Sequence, residues 1–152
     1  MYQRILLAID ATPTDENRSA LKRTEQIGLL TGGTVHVLHV AGDITEGAAL
    51  GVRSTADDVE IADRDVVQAF VDQLCAAGID AHGEIVSATD HDLASVILQR
   101  ATELDVDLLV LGHQHHRGSG GVFRSSVAEQ VIHQHPPMSI LLARPPTAMK
   151  GQ

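Results

Sequence analysis

Short aliphatic runs alternate with longer amphipathic segments along most of the chain, and this alternation limits the possible folds more than any other feature. The run Arg4–Asp10 (RILLAID) is almost wholly apolar, and Asp107–Leu111 (DLLVL) is the purest aliphatic run in the chain. A strand without a polar face is typical of a sheet that is covered on both sides. Because segments of helical periodicity separate the runs, the pattern predicts an α/β fold with parallel strands and crossover helices.

The same pattern predicts five strands and four helices in one domain, residues 1–144. The predicted strands are 4–10, 34–40, 79–86, 107–111 and 138–143, and the predicted helices are about 15–31, 57–77, 92–104 and 125–134. Helix stops are supplied by Gly32-Gly33, Gly78 and Pro136-Pro137. Residues 41–56 have no clear period and are interpreted as a mobile loop, and the tail 145–152 is expected to be disordered.

The charge of the chain argues against one large class of function. There are 20 acidic and 11 basic residues, which gives a formal net charge of −9. Nucleic-acid backbones are held by clustered Lys and Arg side chains, so general nucleic-acid binding is disfavoured. An anionic small ligand would have to be held locally, by backbone amides and a few Arg or His side chains.

The cysteine content and the lengths of the apolar runs favour a reduced, aqueous compartment. The single cysteine, Cys75, cannot form an internal disulfide, and its apolar helical surroundings predict a small buried residue. No run approaches the roughly 18–20 apolar residues that a membrane span requires. The first run is too short for a signal peptide and is interpreted as a strand. These features predict a cytoplasmic protein that does not bind membranes.

The stretch Gly112–Ser126 (GHQHHRGSGGVFRSS) follows the fourth strand and is the strongest candidate for a binding site. In open parallel sheets, ligands bind beyond the carboxyl ends of the strands, where the strand order reverses. The first strand ends at Asp10 and the second at Val40. If the first and fourth strands are neighbours, these three places form the walls of one pocket.

Four stretches carry a resemblance to the universal stress protein family, and the resemblance covers essentially the whole chain. They are the first strand ending in Asp10, the second strand ending in His39-Val40, DLLVLG at 107–112, and SSVAEQVIHQHPPMSILLAR at 125–144. The resemblance implies a flavodoxin-like fold of the adenine nucleotide alpha hydrolase type. In that fold, five parallel strands are ordered 3-2-1-4-5 with helices on both faces. It also implies a homodimer.

The most specific part of the resemblance is a glycine motif. Nucleotide-binding members of the family carry a glycine, two residues, a second glycine, nine residues, and a third glycine followed by Ser or Thr. This chain keeps the spacing with Gly112, His115, Ser125 and Ser126, but two of the glycines are replaced. A glycine in a phosphate loop allows a positive φ or a close approach of amides to phosphate, so His115 is the larger departure.

The resemblance implies that ATP or a related adenine nucleotide, with Mg²⁺, is the ligand. In the family's terms, Asp10 borders the nucleotide, the backbone at Val40 meets the adenine, and the Gly112 amide and Ser126 hydroxyl contact phosphate. Side chains of His115, Arg117 and Arg124 can donate charge-assisted hydrogen bonds to phosphates. The complete set of predicted binding residues is Asp10, Val40, Gly112, His115, Arg117, Gly118, Arg124, Ser125 and Ser126.

The histidines are interpreted without a metal. His113, His115 and His116 are too close in sequence to form a tetrahedral site alone, so solvated loop residues are favoured. His36 and His39 are expected to share one face of the second strand, buried with backbone partners. No catalytic set can be assembled from the sequence, and the chain is not identified as an enzyme. A metal-dependent hydrolase is disfavoured.

Two functions therefore remain open. In the first, the protein is a nucleotide-responsive stress-response module in which ATP orders residues 41–56 and changes the surface seen by a partner, with at most slow hydrolysis. In the second, it has lost nucleotide binding and acts as an interaction or scaffold protein, which the two replaced glycines favour. Either form is expected to dimerise through 138–143, an aliphatic edge strand that contains no Lys or Pro.

Overall fold

The computed structural model describes residues 2–9, 15–41, 56–87, 93–112 and 122–144. The strands are β1 (Arg4–Ile9), β2 (Thr34–Ala41), β3 (Ala81–Ser87), β4 (Leu108–Gly112) and β5 (Ser139–Ala143). The helices are α1 (Asp15–Thr31), α2 (Ala56–Ala76), α3 (Leu93–Glu103) and α4 (Val122–His133). Each predicted element is present, with its boundaries shifted by no more than three residues.

The five strands form one parallel sheet in the order β3-β2-β1-β4-β5. β1 is the central strand. β2 and β3 lie on one side of it, and β4 and β5 lie on the other. The predicted fold class and strand order are confirmed, and so is the assumed adjacency of the first and fourth strands.

Each face of the sheet packs against a different pair of helices. Alternate residues of a strand point to opposite faces, so one strand contributes to both layers of the core. The α1/α2 face is built on Ile5, Leu7 and Val37. The α3/α4 face is built on Leu6, Leu38 and Leu109. Burial on both faces explains why the central strands are aliphatic at consecutive positions.

Helix α2 packs unusually close to β3 because Gly83 has no side chain. A Cβ atom at this position would lie 2.6 Å from Cγ1 of Val67 and 3.0 Å from Cγ2 of Val71. The first distance is far inside van der Waals contact, and both neighbours are short branched side chains. The glycine therefore sets the distance between α2 and this part of the sheet.

The amino-terminal ends of β1 and β4 are joined by one carboxylate. Asp107 Oδ2 accepts a hydrogen bond from the Gln3 amide at 2.9 Å, and Oδ1 accepts one from the Arg4 amide at 3.1 Å. The Arg4 guanidinium also contacts Asp105 at 2.7 Å. These contacts hold together segments that are about a hundred residues apart in sequence, at the edge of the sheet opposite the predicted pocket.

Cys75 departs from the sequence-based expectation, since its side chain is exposed rather than buried. The buried stripe of α2 consists of Val67, Phe70, Val71 and Leu74, and Cys75 lies at its margin. Its thiol is 3.8 Å from the Ala81 carbonyl oxygen. The predicted helix is present. Because most residues around Cys75 in the sequence are apolar, however, the pattern did not show where the buried face of α2 ends.

Two other expectations lie outside the described residues: the mobile loop, apart from its end residues, and the disordered tail after Arg144. Within the part of the chain that the structure describes, no helix is both long and apolar enough to cross a membrane.

Candidate functional site

The ends of three adjacent strands meet at the carboxyl edge of the sheet. Ala8 of β1 is in register with Leu38 of β2 on one side and Leu111 of β4 on the other. Val40 and Gly112 therefore flank the end of β1 and are about two strand spacings, roughly 10 Å, apart. This is where the sequence placed the walls of the pocket.

The strand order reverses at the same place. The chain continues from β1 to α1 on one face of the sheet and from β4 to α4 on the other, and in open parallel sheets this is the position of the ligand-binding crevice. Both strands are followed by helices, α1 and α4, whose amino termini start from this edge. Amide groups at helix starts lack intrahelical partners and favour anions, so the crevice is suited to a phosphorylated ligand.

His39 fixes the end of β2 to the end of β1. Its Nδ1 lies 3.0 Å from the carbonyl oxygen of Ile9, and its side chain is buried. Because a carbonyl oxygen only accepts, Nδ1 carries the hydrogen and donates it. The expected backbone partner of His39 is confirmed. Because Ile9 immediately precedes Asp10 in the sequence, this hydrogen bond gives His39 a supporting position beside the predicted pocket, which the sequence alone did not indicate.

The expectation for His36 is wrong. His36 and His39 are three positions apart in β2, so strand alternation places them on opposite faces of the sheet. His36 is only partly buried, and its ring lies beside that of His82 on β3, with centroids 5.6 Å apart. Only residues separated by an even number of positions share a face of a strand, and His36 and His39 are separated by three positions.

Helix α4 begins at Val122, three residues earlier than predicted. Arg124 was expected in the loop, but it lies in the first turn of the helix, followed by Ser125 and Ser126. These three residues are thus close to the end of α4 that attracts anions. The structure describes only their helical backbone, so contacts made by their side chains stay predictions.

The remaining predicted binding residues are not described by the structure. Asp10, His115, Arg117 and Gly118 lie outside the described residues. Of the nine predicted contacts, the structure therefore brings Val40 and Gly112 to one edge and places Arg124, Ser125 and Ser126 at the start of the helix that follows β4.

The sequence matches the model of the universal stress protein family over residues 1–142. The chain belongs to the universal stress protein family. Its sequence has no significant match among curated proteins.

Solved structures of universal stress proteins share its fold. The structure of a family member from Burkholderia pseudomallei is 20% identical, with a TM-score of 0.70, and the match covers 93% of this chain and 95% of that one. A universal stress protein from Archaeoglobus fulgidus in complex with dAMP is 20% identical, with a TM-score of 0.68 and coverage of 93% and 98%. A universal stress protein in complex with cAMP is 19% identical, with a TM-score of 0.65 and coverage of 95% and 98%.

Proposed function

We propose that this universal stress protein binds an adenine nucleotide across the carboxyl ends of β1, β2 and β4. The observation that carries the proposal is the convergence of Val40 and Gly112 on either side of β1, at the point where the strand order reverses. Relatives with the same fold are complexed with dAMP and cAMP. ATP with Mg²⁺ is the ligand that we propose for this chain, and the cation enters with the phosphates.

In the proposed complex, the adenine lies against the backbone at the end of β2. Val40 pairs with Val86 of β3 and is partly buried, so the end of the strand is fixed on its outer side. The His39 imidazole fixes it on the inner side, through the Ile9 carbonyl. An edge that is held on both sides can recognise a flat base without rearranging, which lowers the ordering cost of binding.

The phosphates are directed towards Gly112 and the start of α4. Gly112 is the last residue of β4 and pairs with Ala143 of β5. Without a Cβ atom, its amide can approach an oxygen closely. Arg124 lies in the first turn of α4, so we propose that it supplies a positive charge for the phosphates, which matters in a chain with a net charge of −9. We propose no catalytic residue, and we expect any ATP hydrolysis to be slow.

The replaced glycines support a second candidate function. His115 and Ser125 stand where nucleotide-binding members of the family carry glycine, and an imidazole at the first position adds bulk where phosphates would sit. In this alternative, the protein has lost nucleotide binding and acts through protein partners. Cytoplasmic placement stays a prediction under both functions.

Calorimetric titration of EDTA-treated protein with ATP and Mg²⁺ separates the two functions. We expect wild-type protein to bind and Gly112→Val to lose at least ~10-fold in affinity, because a branched side chain replaces the open approach to the amide. Ser139→Val is the matched control, since it adds a similar side chain at an exposed position on the neighbouring strand, at the opposite end of the sheet.

The double variant His115→Gly/Ser125→Gly decides between loss and adaptation of the site. If wild-type protein does not bind but the double variant does, the two residues have closed the pocket and the interaction function stands. If neither binds, nucleotide binding is refuted for this fold position. Equal binding by Gly112→Val and Ser139→Val would refute the proposed place of the phosphates.

We further propose that the protein is a homodimer that forms through β5. This strand is at the edge of the sheet, and Ile140, Leu141 and Leu142 are only partly buried in one chain. Among the described residues, no strand neighbours its outward amide and carbonyl groups, and pairing with a second copy would satisfy them. Sedimentation at micromolar concentration should show about twice the 16.2 kDa chain mass.

A further inference from the structure

Two histidines lie side by side on neighbouring strands, far from the nucleotide site. The register of β2 and β3 pairs His36 with His82, so both side chains project from the α3/α4 face. Their ring centroids are 5.6 Å apart, and the ring planes are inclined by 30°. His36 precedes Val40 by four residues along β2, which corresponds to about 13 Å.

The separation of the rings suits a shared ion. Imidazole binds transition metals with metal–nitrogen distances of about 2.0–2.1 Å, so two rings on one ion have centroids roughly 5–6 Å apart. The observed separation falls within this range.

His82 is oriented as metal-binding histidines are. Its Nε2 lies 3.1 Å from Oδ1 of Asp80, two residues earlier in the chain. A carboxylate beside one ring nitrogen favours the tautomer in which that nitrogen carries the hydrogen, so that the other nitrogen is free to act as the ligand. In this arrangement Nδ1 of His82 is left as the coordinating atom. The side chain is 59% exposed, so an ion has direct access.

His36 is the less accessible ring of the pair. It is partly buried, whereas His82 is exposed.

The charges around the pair favour a cation. Arg100 of α3 is a neighbouring positive charge, and it forms ion pairs with Glu84 at 2.8 Å and with Glu103 at 2.9 Å. Asp80 adds a third carboxylate. The surroundings of the two rings thus carry more negative than positive charge, which offsets part of the cost of bringing a divalent ion close to a guanidinium.

We propose that His36 and His82 form a binding site for a divalent transition-metal ion of the class that prefers imidazole, such as Zn²⁺, Ni²⁺ or Cu²⁺. Among the described residues, no group of three or more His, Cys, Asp or Glu side chains converges on one point. The other coordination positions are therefore filled by water or by a donor from another molecule, and the ion exchanges readily. When bound, it joins the edge strand β3 to β2.

The test is calorimetric titration with Ni²⁺ in a background in which His113, His115 and His116 are replaced by Gln. This background removes the histidine-rich loop as a competing site. We expect His82→Gln to weaken Ni²⁺ binding at least ~10-fold, since one of two ligands is lost. His133→Gln, which removes a histidine from the exposed end of α4, is the matched control and should leave the affinity unchanged.

Two further measurements keep the test specific. Asp80→Asn keeps both ligands but weakens the orientation of His82, and we expect an intermediate loss of affinity. The electron paramagnetic resonance spectrum of Cu²⁺ bound to the background protein should show coupling to two imidazole nitrogens, and coupling to one in His36→Gln. Equal affinity of the background protein and of His82→Gln, or no binding at millimolar Ni²⁺, would overturn the proposal.

Discussion

The two edge strands of the sheet differ in chemistry although both are short. β3 (AHGEIVS) carries His82 and Glu84 on one face, and Asp80 immediately precedes it. β5 (SILLA) carries no charged residue at all. Charged side chains on an edge strand discourage pairing with another sheet, whereas an uncharged aliphatic edge permits it. One edge is thus suited to face water, and the other is suited to face a second copy of the chain.

Helix packing reinforces the difference between the edges. At β3, helix α2 approaches so closely that Gly83 is required, and Arg100 of α3 is tied to Glu84 from the other face. At β5, the side chains of Ile140, Leu141 and Leu142 are only partly covered. The β3 edge therefore has its side chains engaged within one chain, while the β5 edge leaves apolar surface to be buried by association.

The largest expected effect comes from placing a charge on the β5 edge. Ile140→Lys should weaken the dimer by ~100-fold or more, about 2.7 kcal/mol, because symmetric pairing brings two like charges together. Ile85→Lys makes the same change at a partly buried position of β3 and should leave the dimer intact. Sedimentation equilibrium measures both. A dimer that survives Ile140→Lys would show that association uses another surface.

Removing the charge from the β3 edge is the converse change. With His82→Val/Glu84→Val, both edges of the sheet become uncharged and aliphatic, and dimers can join further through β3. We expect assemblies larger than dimers, detected by light scattering at micromolar concentration. Adding Ile140→Lys to this variant should limit the assemblies to pairs. An unchanged dimer would mean that α2 and α3 alone protect the edge.

A smaller effect is expected where α2 packs on β3. Gly83→Ala introduces a Cβ atom 2.6 Å from Cγ1 of Val67, and we expect a loss of about 1–3 kcal/mol in the free energy of unfolding. In the double variant with Val67→Ala, the clash is relieved, so the two losses should be clearly less than additive. Urea unfolding gives all three values. Additive losses would show that Gly83 serves the backbone rather than the packing.

The smallest effect is a pH dependence that arises from His36 of β2, the strand next to the β3 edge. The pKa of His36 is lowered in the folded protein, mainly by burial and then by His82. The unfolded chain therefore takes up this proton first, so the contribution of His36 is present above about pH 6.5 and is lost as the pH falls through the lower folded pKa. In EDTA, His36→Gln should flatten unfolding stability in that interval. A parallel loss in both proteins would contradict the assignment.

The edge strands also show which structural features can be predicted from the sequence. The aliphatic runs and their helical separators were sufficient to predict the nine elements of the described residues, because burial on both faces leaves few alternatives for runs such as DLLVL. The uncharged character of β5 was likewise visible in the sequence. Strand order was obtained only through family resemblance, since no local pattern specifies which strands are neighbours.

The sites were less predictable because they depend on pairing between distant segments. His36 and His82 are 46 residues apart, and only the β2–β3 register places them together. The hydrogen bond from His39 to Ile9 likewise spans 30 residues. Glycine spacing predicted a binding edge at Gly112, which the structure places at the end of β4, but it gave no account of these cross-strand contacts. Periodicity reports which residues share a face, not which residues meet.

The position of β1 has a consequence for synthesis on the ribosome. β1 is synthesised before the other strands, but one of its two neighbours, β4, is made much later. The paired residues Ile5 and Leu108 are 103 positions apart in the sequence. At about 5–20 residues per second, roughly 5–20 s pass before β4 is made. During that interval β1, β2 and β3 can assemble, but the most apolar strand of the nascent chain has one bare side. A chaperone that acts at the tunnel exit would therefore encounter a partial sheet of β1, β2 and β3, in which the side of β1 that later pairs with β4 is exposed.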